Sequence, residues 1–148
     1  MIRATNINKH YGDLQVLKNV SLQINKGEIV SIVGASGAGK TTLLQILGAL
    51  DLLDKKDNIS SSLIINDTSI IDLNDKALSK FRNLNLGFIF QFHQLLPEFT
   101  ALENVCIPAS IANNSKKEVE IEAKRLLDYL GLSHIINHKP NELSGGEQ

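Results

Sequence analysis

A glycine-rich segment, Gly34 to Thr41, constrains the fold of this chain more than any other part of its sequence. Its letters, GASGAGKT, match the pattern G-x-x-x-x-G-K-[ST], in which successive backbone N–H groups surround a phosphate. Glycine suits such a loop because the backbone must approach a bulky anion closely and adopt positive φ angles. The apolar run 29–33 precedes the segment, and Leu43, Leu47 and Leu50 follow it at helical spacing. This order of strand, loop and helix predicts a phosphate-binding loop.

The residue types in the loop predict what it binds. The helix that follows points its partly positive N-terminus at the anion. Lys40 adds an ammonium for the β- and γ-phosphates of a nucleotide, and the hydroxyl of Thr41 is the expected Mg²⁺ ligand. The expected phosphate-contacting residues are Gly34, Ala35, Ser36, Gly37, Ala38, Gly39, Lys40, Thr41 and Thr42. The alternative interpretation is a glycine turn with an incidental lysine.

Apolar periodicity along the rest of the chain predicts an α/β domain. Short apolar or alternating runs are typical of strands, and spacings of three and four residues are typical of helices. The expected strands are 2–9, 20–24, 29–33, 63–65 with 70–71 as a hairpin around Asn66-Asp67, and 86–90. The expected helices are 40–50, 74–83 and 115–130, the last with an apolar stripe at Val119, Ala123, Leu126, Leu127 and Leu130. Two capping boxes are predicted, Thr100 with Glu103 and Ser115 with Glu118.

Composition excludes several classes of protein. The 148 residues carry 15 Lys and Arg against 16 Asp and Glu, a net charge of −1, which gives no long-range attraction to nucleic acid. Hydrophobic residues make up 43% of the chain, but no apolar stretch is long enough to span a membrane. Cys106 is the only cysteine, so no internal disulfide can form. We therefore expect a cytoplasmic domain that binds no nucleic acid.

A second glycine motif, LSGGEQ at residues 143–148, closes the chain. Alone, a Ser-Gly-Gly step is a flexible turn in most proteins, although its hydroxyl and amides can also face an anion. Together with the upstream phosphate loop it resembles the ATP-binding cassette (ABC) family of ATPases, whose signature motif is LSGGQ-like. The resemblance implies an α/β fold: a P-loop NTPase core with a mainly parallel sheet, an N-terminal antiparallel β subdomain and a helical subdomain.

The resemblance also implies roles for single residues. Tyr11 corresponds to the aromatic residue that stacks on adenine in the family, although it is also explained as a surface aromatic on the first strand. Gln91 corresponds to the glutamine that reaches Mg²⁺ and the attacking water in the family. The implied catalytic residues are therefore Lys40 and Gln91, and the implied metal ligands are Thr41 and Gln91. Two such domains pair head to tail, and the signature of one covers the γ-phosphate held by the other. The residues implied to act in trans are Ser144, Gly145, Gly146 and Glu147.

The segment at residues 90–105, FQFHQLLPEFTALENV, narrows the resemblance within the family. It is similar to the ATPase subunits of lipoprotein-releasing transporters (the LolD type), with those of macrolide exporters and of the cell-division FtsE–FtsX pair as alternatives. The resemblance implies a peripheral position on the cytoplasmic face of the bacterial inner membrane, with permease subunits docking near residues 91–105. The aromatic residues Phe90, Phe92 and Phe99 suit a docking surface or, equally, core packing.

Residues 1–148 are interpreted as a partial nucleotide-binding domain with the A-loop, Walker A, Q-loop and signature motifs. The Walker B Asp-Glu pair, the D-loop and the switch histidine of the family are not in the sequence. The expectation is a C-terminally truncated cassette with an incomplete sheet, which binds nucleotide weakly and hydrolyses little or no ATP alone. Two other interpretations stay open: a cassette protein of DNA repair or translation, and a non-catalytic nucleotide-binding fragment.

Overall fold

Two long antiparallel strands open the chain in this computed structural model, which describes residues 1–54, 60–91 and 94–148. Strand β1 (Ile2–Tyr11) and strand β2 (Leu14–Ile24) pair from Ile2 opposite Ile24 to Tyr11 opposite Leu14. Gly12 makes the connecting turn at a φ of 60°. The mixture of β-branched and polar residues at 2–9 and the alternation at 20–24 predict these two strands. Both are confirmed, and β2 begins earlier than predicted.

A short hairpin extends this sheet on its other side. Strand β3 (Ser62–Ile65) pairs with β1, and strand β4 (Thr68–Ser69) pairs with β3, so the order is β2-β1-β3-β4. Asn66 and Asp67 both have positive φ, 47° and 62°, which matches the right-handed twist of a tight two-residue turn. The predicted hairpin is confirmed, with its second strand two residues earlier than expected.

Four α-helices account for most of the remaining regular structure in the described residues. They are α1 (Lys40–Leu47), α2 (Asp75–Asn85), α3 (Ala101–Ile111) and α4 (Lys116–Tyr129). Single 3₁₀ turns follow at Ser133–Ile135 and Pro140–Glu142. None of the described helices combines the length and the apolar character that crossing a membrane requires.

The chain divides into two compact units, Met1–Arg82 and Asn83–Gln148. The buried apolar residues of the first unit come from the sheet, α1, α2 and their connections: Ala4, Ile7, Leu17, Leu43, Ile46, Leu47, Ala49, Leu63, Ile65, Ile70 and Leu78. Those of the second unit are Ala101, Val119, Ala123, Leu127, Ile135 and Leu143. Each unit therefore has an apolar core of its own.

The helix stripes are narrower than the sequence predicts. In α1 the buried residues are Leu43, Ile46 and Leu47, whereas the predicted Leu50 lies beyond the helix and is exposed. In α4 the buried residues are Val119, Ala123 and Leu127, which are spaced by four. The predicted Leu126 and Leu130 are exposed. A periodic pattern gives the apolar face of a helix, but the width of the buried part depends on its neighbours.

The two predicted capping boxes have different outcomes. At the start of α3 the Thr100 hydroxyl accepts from the Glu103 N–H at 3.3 Å, and Glu103 Oε2 accepts from the Thr100 N–H at 2.8 Å. The second of these bonds is the main reason that the pKa of Glu103 lies below its ordinary value. At the start of α4 the Ser115 side chain makes no cap bond. The prediction is therefore confirmed for Thr100 and wrong for Ser115.

This difference gives a stability prediction. Replacing Thr100 by alanine should lower the free energy of unfolding by about 1 kcal/mol, because an N–H at the helix start loses its acceptor. Thr100→Ser should keep most of the stability, since it keeps the hydroxyl. Ser115→Ala is the matched control at a helix start without the cap bond, and it should change little. Urea unfolding followed by circular dichroism measures all three, and equal losses for Thr100→Ala and Ser115→Ala would contradict the assignment.

The predicted parallel strands at 29–33 and 86–90 are not strands in the structure. Ile29, Val33 and Ile89 are largely exposed to solvent, although the sequence places them in a buried sheet. The physical reason is that a strand forms only beside a neighbour that satisfies its N–H and C=O groups. No segment in the described ranges pairs with either run, and the only described sheet is the antiparallel one. These two expectations are corrected.

Candidate functional site

Within the phosphate loop predicted at residues 34–41, Gly39 is the residue that caps helix α1. Gly39 has a left-handed backbone with φ 84°. A Cβ atom on this residue would lie 2.9 Å from Cδ2 of Leu17 and 3.1 Å from the carbonyl oxygen of Val16. Side chains rarely adopt this φ, and the backbone of β2 cannot move aside easily. The structure therefore requires glycine here, both for its conformation and for the close packing of the loop on β2.

A tight turn forms the middle of the loop. The N–H of Ala38 donates to the carbonyl oxygen of Ala35 at 3.3 Å, and Gly37 between them has a φ of 78°. A Cβ on Gly37 would meet nothing within 4 Å, so this glycine is needed for its conformation alone. The turn leads through the left-handed Gly39 into the N-terminus of α1.

The N-terminus of α1 offers unused donors to an acceptor. The first bond of the helix runs from the Leu43 N–H to the Gly39 carbonyl at 2.8 Å. The α-helical pattern gives no internal acceptor to the N–H groups of Lys40, Thr41 and Thr42, and glycine has no side chain to cap them. The partial positive charge of the helix end adds to these donors. The arrangement fits a phosphate group, and the exposed Thr41 hydroxyl fits a cation bound beside it.

The Lys40 side chain lies across the loop. Its ammonium donates to the carbonyl oxygens of Gly34 at 2.9 Å and Ala35 at 2.6 Å. An ammonium has three N–H donors, so these two bonds leave one for another acceptor. The loop therefore holds a positive charge beside the N–H groups that start α1.

The predicted base-stacking residue, Tyr11, stands at the end of β1 and is half exposed. Its hydroxyl donates to Asp51 Oδ2 at 2.9 Å, and the Lys9 ammonium lies 5.2 Å from the centre of its ring. Lys9 also donates to Asp51 Oδ1 at 2.6 Å and to the Leu52 carbonyl at 2.9 Å. Partial burial raises the pKa of Asp51, but the bonds from Lys9 and Tyr11 outweigh it and hold the pKa below its ordinary value. Sequence analysis missed Asp51 and Lys9, because no local pattern connects positions so far apart in the chain.

The signature segment forms a turn that the Glu147 side chain closes on Ser144. Glu147 Oε2 accepts from the Ser144 N–H at 2.8 Å and from the Ser144 hydroxyl at 2.6 Å. The N–H groups of Glu147 and Gln148 donate to the Ser144 carbonyl at 3.0 and 3.2 Å. The spacing of Ser144 and Glu147, three residues apart, was the signal that sequence analysis overlooked. The Glu147 carboxylate therefore holds Ser144, whereas Gly145 and Gly146 contribute backbone.

The charge state of Glu147 gives a second prediction. Bonds from the Ser144 hydroxyl, the Ser144 N–H and His134 lower its pKa to about 2. Because the folded pKa lies below the unfolded one, this carboxylate stabilises the turn above about pH 4.3. That contribution disappears as the pH falls towards 2. Carboxyl ¹³C NMR should show the Glu147 midpoint near 2 in the parent chain and higher in Ser144→Ala, which loses the hydroxyl bond but keeps the bonds from the residue 144 N–H and from His134.

A matched control for the Glu147 titration is Ser110→Ala. The Ser110 hydroxyl donates to the Cys106 carbonyl inside α3, away from the signature segment. This variant should leave the Glu147 midpoint unchanged. A midpoint near the ordinary glutamate value in the parent chain itself would rule out the bonds from Ser144 to the Glu147 carboxylate.

Gln91 and its neighbours lie in the second unit. Gln91 is exposed and follows Phe90, whose ring stacks on Phe88 with 5.6 Å between the ring centres. Phe90 and Phe99 are both partly exposed, which favours a surface role over core packing for these two residues. Phe92, the third aromatic of the predicted docking surface, lies outside the described residues. The loop and Tyr11 belong to the first unit, and Gln91 and the signature belong to the second.

Comparison with known proteins establishes the family. A family model described as "ABC transporter" matches residues 17–148. The chain belongs to this family. The ABC resemblance that rests on the phosphate loop and the signature is thereby confirmed.

Among curated ABC relatives, the chain is 60% identical over all 148 residues to the lipoprotein-releasing system ATP-binding protein LolD of Porphyromonas gingivalis. It is 58% identical over the same length to the protein of that name from Bacteroides thetaiotaomicron. The chain spans 65% of the length of the first relative and 66% of the second.

Solved ABC structures establish the fold. The dimeric structure of MJ0796, a bacterial ABC transporter cassette, matches 99% of this chain and 65% of its own length, with a TM-score of 0.84 at 40% identity. A dimeric post-hydrolysis state of MJ0796, bound to ADP and Pi, matches with a TM-score of 0.83 at 39% identity. The predicted α/β class of the ABC ATPases is confirmed, although the runs 29–33 and 86–90 are unpaired here.

Proposed function

We propose that the protein is the ATP-binding subunit of a bacterial ABC transporter that releases lipoproteins from the inner membrane. The nucleotide part of the proposal rests on the loop, where Gly39 closes on β2 and Lys40 lies beside free helix donors. The lipoprotein part rests on the names of the relatives that match the whole chain. Members of the ABC family hydrolyse ATP, and a related cassette was solved with ADP and Pi.

The residues of the first unit bind and orient ATP in this proposal. The N–H groups that begin α1 surround the phosphates, and Lys40 gives its third N–H to a phosphate oxygen. The Thr41 hydroxyl would hold Mg²⁺, which neutralises charge on the phosphates as the terminal one is transferred. Tyr11 stacks on the base with its exposed ring. Because the loop is preformed, little reorganisation is needed when the phosphates bind.

The residues of the second unit act on the γ-phosphate. Gln91 would be a ligand of Mg²⁺ and would orient the attacking water. In a head-to-tail dimer, Ser144, Gly145 and Gly146 face the γ-phosphate held by the partner copy. Glu147 offers only acceptor atoms, as does a phosphate, so its contribution is to hold the Ser144 turn.

The exposed aromatic residues Phe90 and Phe99 support docking of permease subunits on the surface around residues 91–105. Such docking would hold the protein at the cytoplasmic face of the inner membrane.

A chimera tests the transport function. The 148 residues would replace the matching part of the Porphyromonas gingivalis relative, which supplies the rest of its length. The chimera should restore release of lipoproteins from inner-membrane vesicles when the relative is depleted, and the same chimera with Lys40→Ala should not. ATP hydrolysis without lipoprotein release would reject this substrate and favour macrolide export or cell division. Failure to bind ATP would reject the whole proposal.

A further inference from the structure

Two charged side chains fix the Tyr11 ring at the end of β1. The Tyr11 hydroxyl is bonded to Asp51, and the Lys9 ammonium lies over one face of the ring. Lys9 and Asp51 are themselves paired at 2.6 Å, with side chains only 11% and 27% exposed. A pair shielded from water to this degree is held more firmly than a surface ion pair. The ring therefore has a defined orientation, while half of the residue stays exposed to solvent.

Asp51 lies shortly after helix α1, which ends at Leu47. Its N–H and that of Leu50 both donate to the Gln45 carbonyl, at 3.2 and 2.8 Å. Its carboxylate also accepts from the Leu52 N–H at 2.8 Å. The phosphate loop leads into the N-terminus of the same helix. Asp51 and the loop are thus at opposite ends of one short, rigid element.

A second set of contacts connects the same two places through the sheet. Lys9 in β1 pairs with Leu17 in β2. Leu17 lies against Gly39, where a Cβ would approach its side chain to 2.9 Å. Tyr11 is therefore connected to the phosphate loop in two ways. One connection passes through Asp51 and along α1, and the other passes through Lys9 and across β1 and β2.

We propose that Asp51 is a positioning residue for the nucleotide base, which orients the Tyr11 ring relative to the phosphate loop. The inference rests on the proposed function and adds to it the residue that orients the base-stacking ring. Lys9 supports the same ring from one face and leaves the exposed part for stacking. A ring ordered in advance loses less conformational freedom when the base binds, so the bond strengthens nucleotide binding without touching the nucleotide.

The test compares MgATP with inorganic triphosphate, which has the phosphates but no base. Tyr11→Phe removes only the hydroxyl bond to Asp51 and keeps the ring, the Lys9–Asp51 pair and the fold. Asp51→Ala removes the acceptor, and Asp13→Ala removes a carboxylate from the exposed turn between β1 and β2 as the control. Calorimetric titration should show MgATP affinity lowered about three- to tenfold in Tyr11→Phe and Asp51→Ala. Triphosphate affinity should be unchanged in both, and Asp13→Ala should change neither.

A third variant, Tyr11→Ala, separates failure of this inference from failure of the proposed function. If Tyr11→Ala weakens MgATP binding but Tyr11→Phe does not, Tyr11 stacks on the base and the role of Asp51 is wrong. If Asp51→Ala weakens MgATP and triphosphate equally, Asp51 is merely structural and the inference is also overturned. If the parent chain binds neither ligand, the proposed function itself fails and the inference with it.

Discussion

Lys40→Ala should weaken the binding of MgATP by about 10- to 100-fold, the range expected when charge-assisted hydrogen bonds to a ligand are lost. The ammonium is beside the free N–H groups of α1, so its loss removes both a donor and the only full positive charge of the loop. Calorimetric titration of the parent chain and the variant measures the ratio. Lys26→Ala, in the exposed turn after β2, is the matched control and should bind as the parent does.

The fold of the Lys40 variant needs its own measurement, because Lys40 also joins the carbonyls of Gly34 and Ala35. Thermal unfolding should show a change of about 1 kcal/mol or less, the net contribution of exposed hydrogen bonds. Equal MgATP affinity in Lys40→Ala and Lys26→Ala, with both variants folded, would mean that the loop is not the phosphate site. The nucleotide part of the proposed function would then fail.

The parts of the fold that the sequence predicts correctly depend on local chemistry. The Asn66-Asp67 turn needs two residues that tolerate positive φ, and these two residues do. The Thr100 cap and the left-handed Gly39 likewise follow from the residue type and its immediate neighbours. A pattern a few residues long is enough in such cases, since both partners of the interaction lie inside it.

The parts that the sequence does not predict depend on distant partners. The run 29–33 is as apolar as a central strand, but apolar character alone does not supply the neighbour to which its N–H groups must bond. Asp51 meets Lys9 and Tyr11 across about 40 positions, and no periodicity connects them. Ser115 has the same local pattern as Thr100 and still makes no cap bond, so a permissive sequence does not guarantee the bond. Which residues interact depends on the packing of the whole fold, so these contacts can be identified only in the folded structure.

Gly39→Ala should lower the free energy of unfolding by about 2–5 kcal/mol, since a left-handed alanine costs about 1–2 kcal/mol and overpacking costs about 1–3 kcal/mol. The added Cβ would press on the Leu17 side chain and the Val16 carbonyl. One of these atoms belongs to the backbone of β2, so the clash can be relieved only by moving the loop off the strand or by bending the strand. Urea unfolding measures the loss, and the same variant should bind MgATP more weakly because the donors at the start of α1 move with the loop.

Gly37→Ala separates the two causes of that loss. Its φ of 78° is close to the 84° of Gly39, but a Cβ there meets nothing within 4 Å. It should therefore lose only the conformational part, about 1–2 kcal/mol. The difference between the two variants measures how tightly the loop packs against β2. Equal losses would show that Leu17 and Val16 move aside at little cost. The contacts across β1 and β2 would then not help to orient the Tyr11 ring relative to the loop.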